Sequence, residues 1–455
     1  MKINNRFFDQ RIAVLGFGIE GQSAADFFIE QGAYVAVWDA KSAESFDTDV
    51  RAKYEEAGIL FDCGSARLGG EFDFAVRSPG ISVHAAVLVD LRARGVRITS
   101  ATQIFFDECS GRTIGITGTK GKGTTSTLIY ELLRAAGVPT VLGGNIGTPM
   151  LSLLPQITDD TIAVLELSSF QLQDLTRSPH IAVVLMTTSD HLDVHADEAE
   201  YVAAKAAITK FQTEHDVLVV NSDYPNSRAI AESSLAQRVF VSAHERVDGC
   251  YADDESVVWT GEGENEIIAA TSDVVLPGRH NLENVCAAVA VAKMLHISDE
   301  CIVGVLRAFH GLEHRLELVR EVRGVRYYND SFATNPASTI AAIRAFDAPK
   351  ILILGGSPKG TDFSELATVI VESNIRAIVG IGEEWLRIKA ALEDAGARGI
   401  IYLEGCTTAP EMVAAAARVA EHGDVVLMSP ACASFGLFNN YKERGYLFKD
   451  AVLHL

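Results

Sequence analysis

Between positions 115 and 125 the chain reads Gly-Ile-Thr-Gly-Thr-Lys-Gly-Lys-Gly-Thr-Thr, overlapping an apolar run from Arg112 to Ile116. A strand that feeds a glycine-rich turn and then a helix makes a phosphate cradle. Backbone N–H groups and the helix N-terminus face the anion, while a lysine reaches the group being transferred. Thr117, Gly118, Thr119, Lys120 and Gly121 would line the cradle. Lys122 would contact the phosphate, and the helix would run from about Gly123 through Thr124 and Thr125 to Ala136. Such loops usually offer Ser or Thr to magnesium where this chain has Gly123, so Thr124 or a water is expected to take that place. The pattern points to ATP.

Two further positions fit the same chemistry. Glu166 ends the apolar run Ile162-Ala-Val-Leu, and a carboxylate at a strand end beside a phosphate loop is the expected magnesium ligand. Asp190 and His191 follow the next strand in Thr188-Ser-Asp-His-Leu-Asp-Val-His195, where a histidine near a nucleotide takes a functional reading. Magnesium prefers oxygen, so waters and phosphates would complete the shell. Lys205, among alanines in Tyr201-Val-Ala-Ala-Lys-Ala-Ala-Ile, reads by pattern alone as a helix-surface lysine. Near the N-terminus Gly16-Phe-Gly18-Ile-Glu-Gly21 follows a strand, and Asp39 ends the next one. That spacing suits a dinucleotide, with Asp39 on a ribose, as well as it suits another diphosphate such as a nucleotide-sugar.

The elements that must position these residues are α/β throughout. Three consecutive blocks alternate short apolar runs with helical patterns, which predicts three domains, each a mostly parallel sheet flanked by helices. The boundaries are 1–108, 109–313 and 314–455. Strands are expected at Arg11–Leu15, Tyr34–Asp39 and Phe72–Val76, then at Thr161–Glu166, Ile181–Leu185 and Val217–Val220. In the last block they fall at Val325–Tyr328, Lys350–Leu354, Ala377–Gly380, Gly399–Tyr402 and Val425–Met428. A polar, alternating stretch near 250–270 reads as a hairpin insertion.

At 455 residues, with 48% hydrophobic and 22% charged residues, the chain is long and apolar enough to bury several cores. Its seven cysteines show no C-x-x-C pair and read as small buried hydrophobes in a reducing compartment. No leader and no bilayer-length apolar run is evident, which leads to a cytoplasmic expectation without membrane insertion. A net charge of −21 disfavours nucleic acid or an anionic membrane as partner, so anionic ligands must be held locally.

In order, the motifs resemble the Mur ligase family across nearly the whole chain. They are Gly-x-Gly-x-x-Gly, Ser78-Pro-Gly-Ile, Thr-Gly-Thr-Lys-Gly-Lys, Gly144-Asn145-Ile-Gly, Leu165-Glu-Leu-Ser-Ser-Phe-Gln-Leu172 and Asp-His-Leu-Asp. Ala-Ala-Lys205, Gly278-Arg-His-Asn281-Leu-Glu-Asn284, His314-Arg315, Asn329-Asp-Ser and Ser429-Pro-Ala-Cys-Ala-Ser434 follow. The resemblance implies a first domain (Rossmann-like) that binds UDP rather than a dinucleotide, a central ATP-binding domain and a C-terminal amino-acid-binding one. Gly16, Phe17, Gly18, Ile19, Asp39, Ala40, Lys41 and Ser78 would line the UDP-substrate site, with Asn145, Ser168 and Gln171 from the central domain. Lys120 and Lys122 would hold ATP phosphates. Thr124, Glu166, His191 and a carbamylated Lys205 would serve magnesium, which reverses the surface reading of Lys205. Asn281 and Asn284 match the adenine-side motif, Arg315 a phosphate contact and Asp330 a ribose contact. Thr334, Lys359, Ser434 and Tyr441 fall where the family binds the incoming amino acid. One departure is Phe332, which stands where the family's Asn-Asp-Ser-Lys has lysine, so the amino-acid site has lost a positive charge.

The activity so implied is ATP-dependent and passes through an acyl phosphate. It adds glutamate, D-glutamate by the family's default and L-glutamate as the alternative, to UDP-N-acetylmuramoyl-L-alanine in peptidoglycan precursor synthesis. The partners would be small molecules and the protein a monomer. A folylpolyglutamate-synthase-like ligase would account for Gly123 but leaves residues 1–108 without a task. A non-catalytic nucleotide-binding regulator would leave Lys122, Glu166 and His191 without one.

Overall fold

The computed structural model describes residues 6–65, 67–188, 198–261, 263–358 and 360–455. Among them the strands gather into three sheets of five, nine and six members. The first comprises β1 (Arg11–Leu15), β2 (Tyr34–Trp38), β3 (Leu60–Phe61), β4 (Phe74–Arg77) and β5 (Arg97–Ser100) in the order 3-2-1-4-5, every pair parallel. Side chains alternate across β1. Ile12 and Val14 join one apolar core with Phe28 and Phe74, while Ala13 and Leu15 join another with Leu88 and Leu91. A strand buried on both faces reads as a continuous apolar run, which is why it was legible.

The second sheet is built from β6 (Arg112–Thr117), β7 (Thr140–Gly144), β8 (Ile162–Glu166), β9 (Ile181–Val184), β10 (Val217–Asn221), β11 (Gln237–Ser242), β12 (Gly249–Ala252), β13 (Ser256–Gly261) and β14 (Glu264–Ala270). Its order is 14-13-12-11-10-9-6-8-7. The hairpin expected near 250–270 is a three-stranded meander: β12 pairs parallel to β11, and β13 and β14 then run antiparallel. The short links after β12 and after β13 suit antiparallel hairpins. The third sheet holds β15 (Glu317–Val322), β16 (Val325–Asn329), β17 (Lys350–Gly355), β18 (Ile375–Ile381), β19 (Ile401–Leu403) and β20 (Val425–Met428), in the order 15-16-20-17-18-19. Its antiparallel edge strand β15 escaped the sequence reading. It joins β16 through Arg323 (φ 52°) and Gly324 (φ 78°), the two positive-φ residues of a tight hairpin.

Residues 1–271 with 283–305 form one compact unit carrying the first two sheets, and 272–282 with 306–455 form another carrying the third. The expected limit at 108 thus falls inside this unit, between its two sheets. One apolar core runs from Ile12 and Phe28 to Leu172 and Val184. Arg77, buried at the end of β4, donates from Nε to Asp174 Oδ2 at 2.7 Å, and its Nη2 lies 2.6 Å from the same oxygen in an ion pair. The same guanidinium donates to the carbonyls of Phe170 at 2.9 Å and Ile81 at 2.6 Å. Arg77→Ala would strand this acceptor set, and urea denaturation should show a loss of about 3 kcal/mol. A change within experimental error would show that the apolar core alone joins the two sheets.

Candidate active site

The phosphate loop forms where β6 ends. Thr117 Oγ1 donates to the Leu167 carbonyl at 2.9 Å, and the Thr119 N–H donates to the Met186 carbonyl at 2.6 Å. Between them Gly118 adopts φ 153°, where a Cβ would lie 2.9 Å from Leu185 Cβ. Gly121, at φ 85°, is the N-cap of the helix Lys122–Ala135 and provides no side-chain cap. The first N–H groups of that helix thus remain available to an anion. A Cβ on Gly121 would come within 2.2 Å of Asn284 Oδ1, so only glycine lets the loop pass under the helix His280–Met294.

Two lysines meet at the loop. Lys122 Nζ donates to the Gly118 carbonyl at 2.9 Å and to the Thr119 carbonyl at 3.2 Å. Lys205 Nζ donates to the same Gly118 carbonyl at 3.0 Å, from the helix Glu198–Ala206. Lys205 is 1% exposed and lies 4.6 Å from the Tyr201 ring centroid. This overturns the surface reading that pattern alone gave it. Tyr201 in turn lies 3.2 Å from Thr119 Oγ1, hydroxyl to hydroxyl, and Thr119 donates to the Thr188 carbonyl. Tyr201 was missed by the sequence reading; its position four residues before Lys205, on the same helical face, was the available signal.

Glu166, at the end of β8, is buried and accepts from Asn145 Nδ2 at 2.8 Å through one oxygen. Its other oxygen accepts no hydrogen bond among the described residues, which leaves an oxygen donor of the kind magnesium takes. Asn145 is placed by the Asn145 N–H to Glu166 carbonyl bond and by Gly144 at φ 101°, whose Cβ would lie 2.3 Å from that carbonyl. Of the two threonines after Gly123, Thr125 is buried and donates to Asn284 Oδ1 at 3.2 Å, and Thr124 is half-buried. Lys120 is exposed. His191 and Lys359 lie outside the described residues.

The first sheet offers a second loop. Gly16 (φ 89°) passes Ser78, whose Oγ donates to the Gly16 carbonyl at 3.0 Å. A Cβ on Gly21 would sit 1.9 Å from that carbonyl, whereas one on Gly18 would meet nothing. Turn, open approach and tight helix packing are the three duties of a diphosphate-binding glycine triplet. Asp39 serves the loop itself, accepting the N–H groups of Phe17 and Lys41, each at 2.9 Å. The Phe17 side chain turns away into edge contacts with Phe46, Tyr54 and Phe61, so only its backbone can line a ligand. Ile19, Ala40 and Lys41 are exposed. Ser168 caps the helix Ser169–Leu172, and Gln171 donates to Glu20 Oε1 at 2.6 Å. Glu20, unremarked in the sequence, is pushed up in pKa by burial, against the opposing effects of Gln171 and Arg77. Its Oε2 is buried without a hydrogen-bond partner.

In the second unit Asp330 is buried, accepts from Ser429 Oγ at 2.7 Å and from the Leu316 N–H at 3.2 Å, and is pushed up to about 7 by burial. Arg315 lies 3.9 Å from the Phe332 ring centroid, and Phe332 meets Tyr441 edge-on at 5.1 Å. Arg444, fully buried, donates to Ser331 Oγ and to the Ser331 and Cys432 carbonyls, which joins the Asn329-Asp-Ser turn to the loop that carries buried Ser434. Thr334 is half-buried and donates its N–H to the Phe332 carbonyl. Asn281 donates to the Pro277 carbonyl at 2.7 Å.

Three family descriptions match this chain: the Mur ligase MurD-like N-terminal domain over residues 10–100, the Mur ligase middle domain over 116–292, and the Mur ligase glutamate ligase domain over 314–432. The chain belongs to the Mur ligase family. Relatives named UDP-N-acetylmuramoylalanine–D-glutamate ligase include that of Symbiobacterium thermophilum, 39% identical over 97% of this chain and 98% of the relative. That of Acetivibrio thermocellus is 38% identical over 99% and 97%. Among solved structures, UDP-N-acetylmuramate–alanine ligase MurC from Thermotoga maritima superposes with a TM-score of 0.61 at 16% identity, covering 98% of this chain and 99% of that one. A MurF structure from Acinetobacter baumannii also gives 0.61, at 18% identity, over 92% and 91%. These likenesses show that the Mur ligase fold extends across the chain.

Within this Mur ligase, Glu20 gives a pH prediction. Its folded pKa is raised, so burial costs stability once the pH exceeds its unfolded value, and that cost is absent at lower pH. Glu20→Gln should therefore raise the melting temperature measured by calorimetry at pH 7.5. The gain should vanish near pH 4. An equal gain at both pH values would mean that charge is not the cause.

Proposed function

We propose that this chain is the ATP-dependent, ADP-forming ligase that joins D-glutamate to UDP-N-acetylmuramoyl-L-alanine, a cytoplasmic step in peptidoglycan precursor synthesis. The observation that carries the reading is the meeting of Lys122 and Lys205 on the Gly118 carbonyl at the mouth of a glycine-built phosphate loop. Full-length likeness to relatives that bear this activity in their names supports it.

A free carboxylate is a poor acyl donor, so the reaction needs a phosphorylated intermediate. An oxygen of the alanyl carboxylate attacks the γ-phosphorus of ATP, the bond to ADP breaks, and an acyl phosphate forms. The glutamate amine then attacks the carbonyl carbon, loses a proton, and inorganic phosphate departs with the former carboxylate oxygen. Side chains do little covalent work in such steps; position and charge decide the rate. Lys120 and Lys122 act on the ATP phosphates, while the Gly16–Gly21 loop, Asp39 to Lys41, Ser78, Asn145, Ser168 and Gln171 hold the UDP substrate. Glu166, Thr124, His191 and a carbamylated Lys205 would hold magnesium, which neutralises phosphate charge when bound. Asn281, Asn284, Arg315 and Asp330 serve the nucleotide. Thr334, Lys359, Ser434 and Tyr441 serve the amino acid. The domain limits at 108 and 313 and a monomeric state belong to the same reading.

Phe332 bears on specificity. With its ring under Arg315, the site replaces a second cation by a cation–π support of about 0.5–2 kcal/mol for the first. An ADP-release assay with UDP-N-acetylmuramoyl-L-alanine and a panel of D- and L-amino acids tests the assignment. D-glutamate should give the highest kcat/KM, and a preference for another amino acid would revise it.

Lys122→Ala should lower turnover by at least about a thousandfold without unfolding the chain. ADP release at a near-normal rate would remove Lys122 from the reaction. Lys205→Ala should also be inactive and should recover in part when a short carboxylate such as acetate is added. A full rate without acetate would exclude the carbamate.

A further inference from the structure

Asp223, His244 and Glu283, none of them used above, converge in the first unit with ligand atoms all within 4.8 Å of one another. They come from the loops after the parallel strands β10 and β11 and from the first turn of the helix His280–Met294. Carboxyl ends of parallel strands are where open α/β sheets take ligands.

Each carboxylate is already oriented. Glu283 is buried and accepts from Asn221 Nδ2 at 2.8 Å and from the Tyr224 hydroxyl at 3.1 Å. Asp223 accepts from Ser242 Oγ at 2.5 Å and from the Ala243 N–H at 3.1 Å. Such outer partners fix metal ligands and still leave each oxygen a lone pair. No lysine or arginine pairs with either acid among the described residues; the one ion-pair contact is His244 Nε2 to Glu283 Oε1 at 3.9 Å. The His244 ring makes no hydrogen bond among the described residues, and its side chain is 55% exposed, which gives the cluster a path to solvent.

We propose that Asp223, His244 and Glu283 bind a divalent transition cation of the zinc type, separate from the magnesium of the ATP site. One imidazole with two carboxylates favours zinc over the all-oxygen preference of magnesium. A tetrahedral ion with bonds of about 2.0–2.1 Å spaces its ligands about 3.4 Å apart, so the His244–Glu283 gap closes with a shift of a few tenths of an ångström. Solvent supplies the fourth position. The ion would also fix the helix start one residue before Asn284, whose carboxamide accepts from Thr125 in the phosphate-loop helix.

Zn2+ titration of the full chain in excess Mg2+, read by calorimetry and by bound-metal analysis after desalting, tests the site. Wild type should take up one more equivalent than His244→Ala, whose fold is preserved because the exposed ring holds no structural bond. Asn221→Ala, which touches Glu283 and not the ion, should weaken that equivalent about tenfold or more. With Co2+ as probe, wild type should show the visible absorption of a tetrahedral site and His244→Ala should not. Equal zinc stoichiometry in wild type and His244→Ala, or identical cobalt spectra, would overturn the proposal.

Discussion

The geometry around the Gly118 carbonyl constrains everything else at the phosphate loop. Two lysine nitrogens donate to that one oxygen, so they lie within about 6 Å of each other in a largely buried setting, where like charges repel more strongly than in water. The oxygen can be offered this way only because residue 118 adopts a backbone angle that side chains avoid, with Leu185 packed where a Cβ would stand. The Met186 and Thr188 carbonyls, beyond β9, hold Thr119 and fix the turn. With Lys205 unmodified, sheet, loop and helix agree on one arrangement, a concentrated positive field beside a helix N-terminus; carbamylation would turn Lys205 into an anion and leave Lys122 as the cation that faces phosphate. A polyanion is the partner that relieves the positive field.

The same constraint accounts for how an acidic chain handles anionic substrates. With a net charge of −21 the protein's overall field opposes them, so attraction must be local. In the first sheet this is done with backbone rather than charge: Asp39 is turned inward to organise the Gly16–Lys41 loops, and its carboxylate is occupied by N–H groups. In the second unit Arg315 lies 3.9 Å over the Phe332 ring centroid, while buried Arg444, drawn down to about 10 by desolvation, ties two turns together.

Much of this was legible in the sequence because the chemistry depends on residues with narrow physical roles. The glycines at 21, 118, 121 and 144 each stand where a Cβ would collide, and Gly16 holds a φ of 89°, so their spacing carried real geometric content. Strands buried on both faces announced themselves as apolar runs. The weaker reading came where tertiary contacts decide. Lys205 shows no burial signal within its own helix, because the carbonyl and the Tyr201 ring that bury it arise from folding. Phe17 sits inside a ligand-binding motif, yet its ring belongs to an aromatic cluster assembled from distant segments. Arg77 and Glu20 were passed over for the same reason: their partners, Asp174 and Gln171, lie in the second sheet's half of the unit. Short edge strands such as β3 and β15 lack the length or the alternation that would mark them.

The central claim is that the phosphate loop serves to turn a carboxylate into an acyl phosphate. Supplying UDP-N-acetylmuramoyl-L-alanine labelled with oxygen-18 in its terminal carboxylate, with ATP and D-glutamate, and analysing the released phosphate by mass spectrometry tests this directly. One labelled oxygen in each phosphate formed is the predicted result. Phosphate that carries no label while the amide product accumulates would contradict the account.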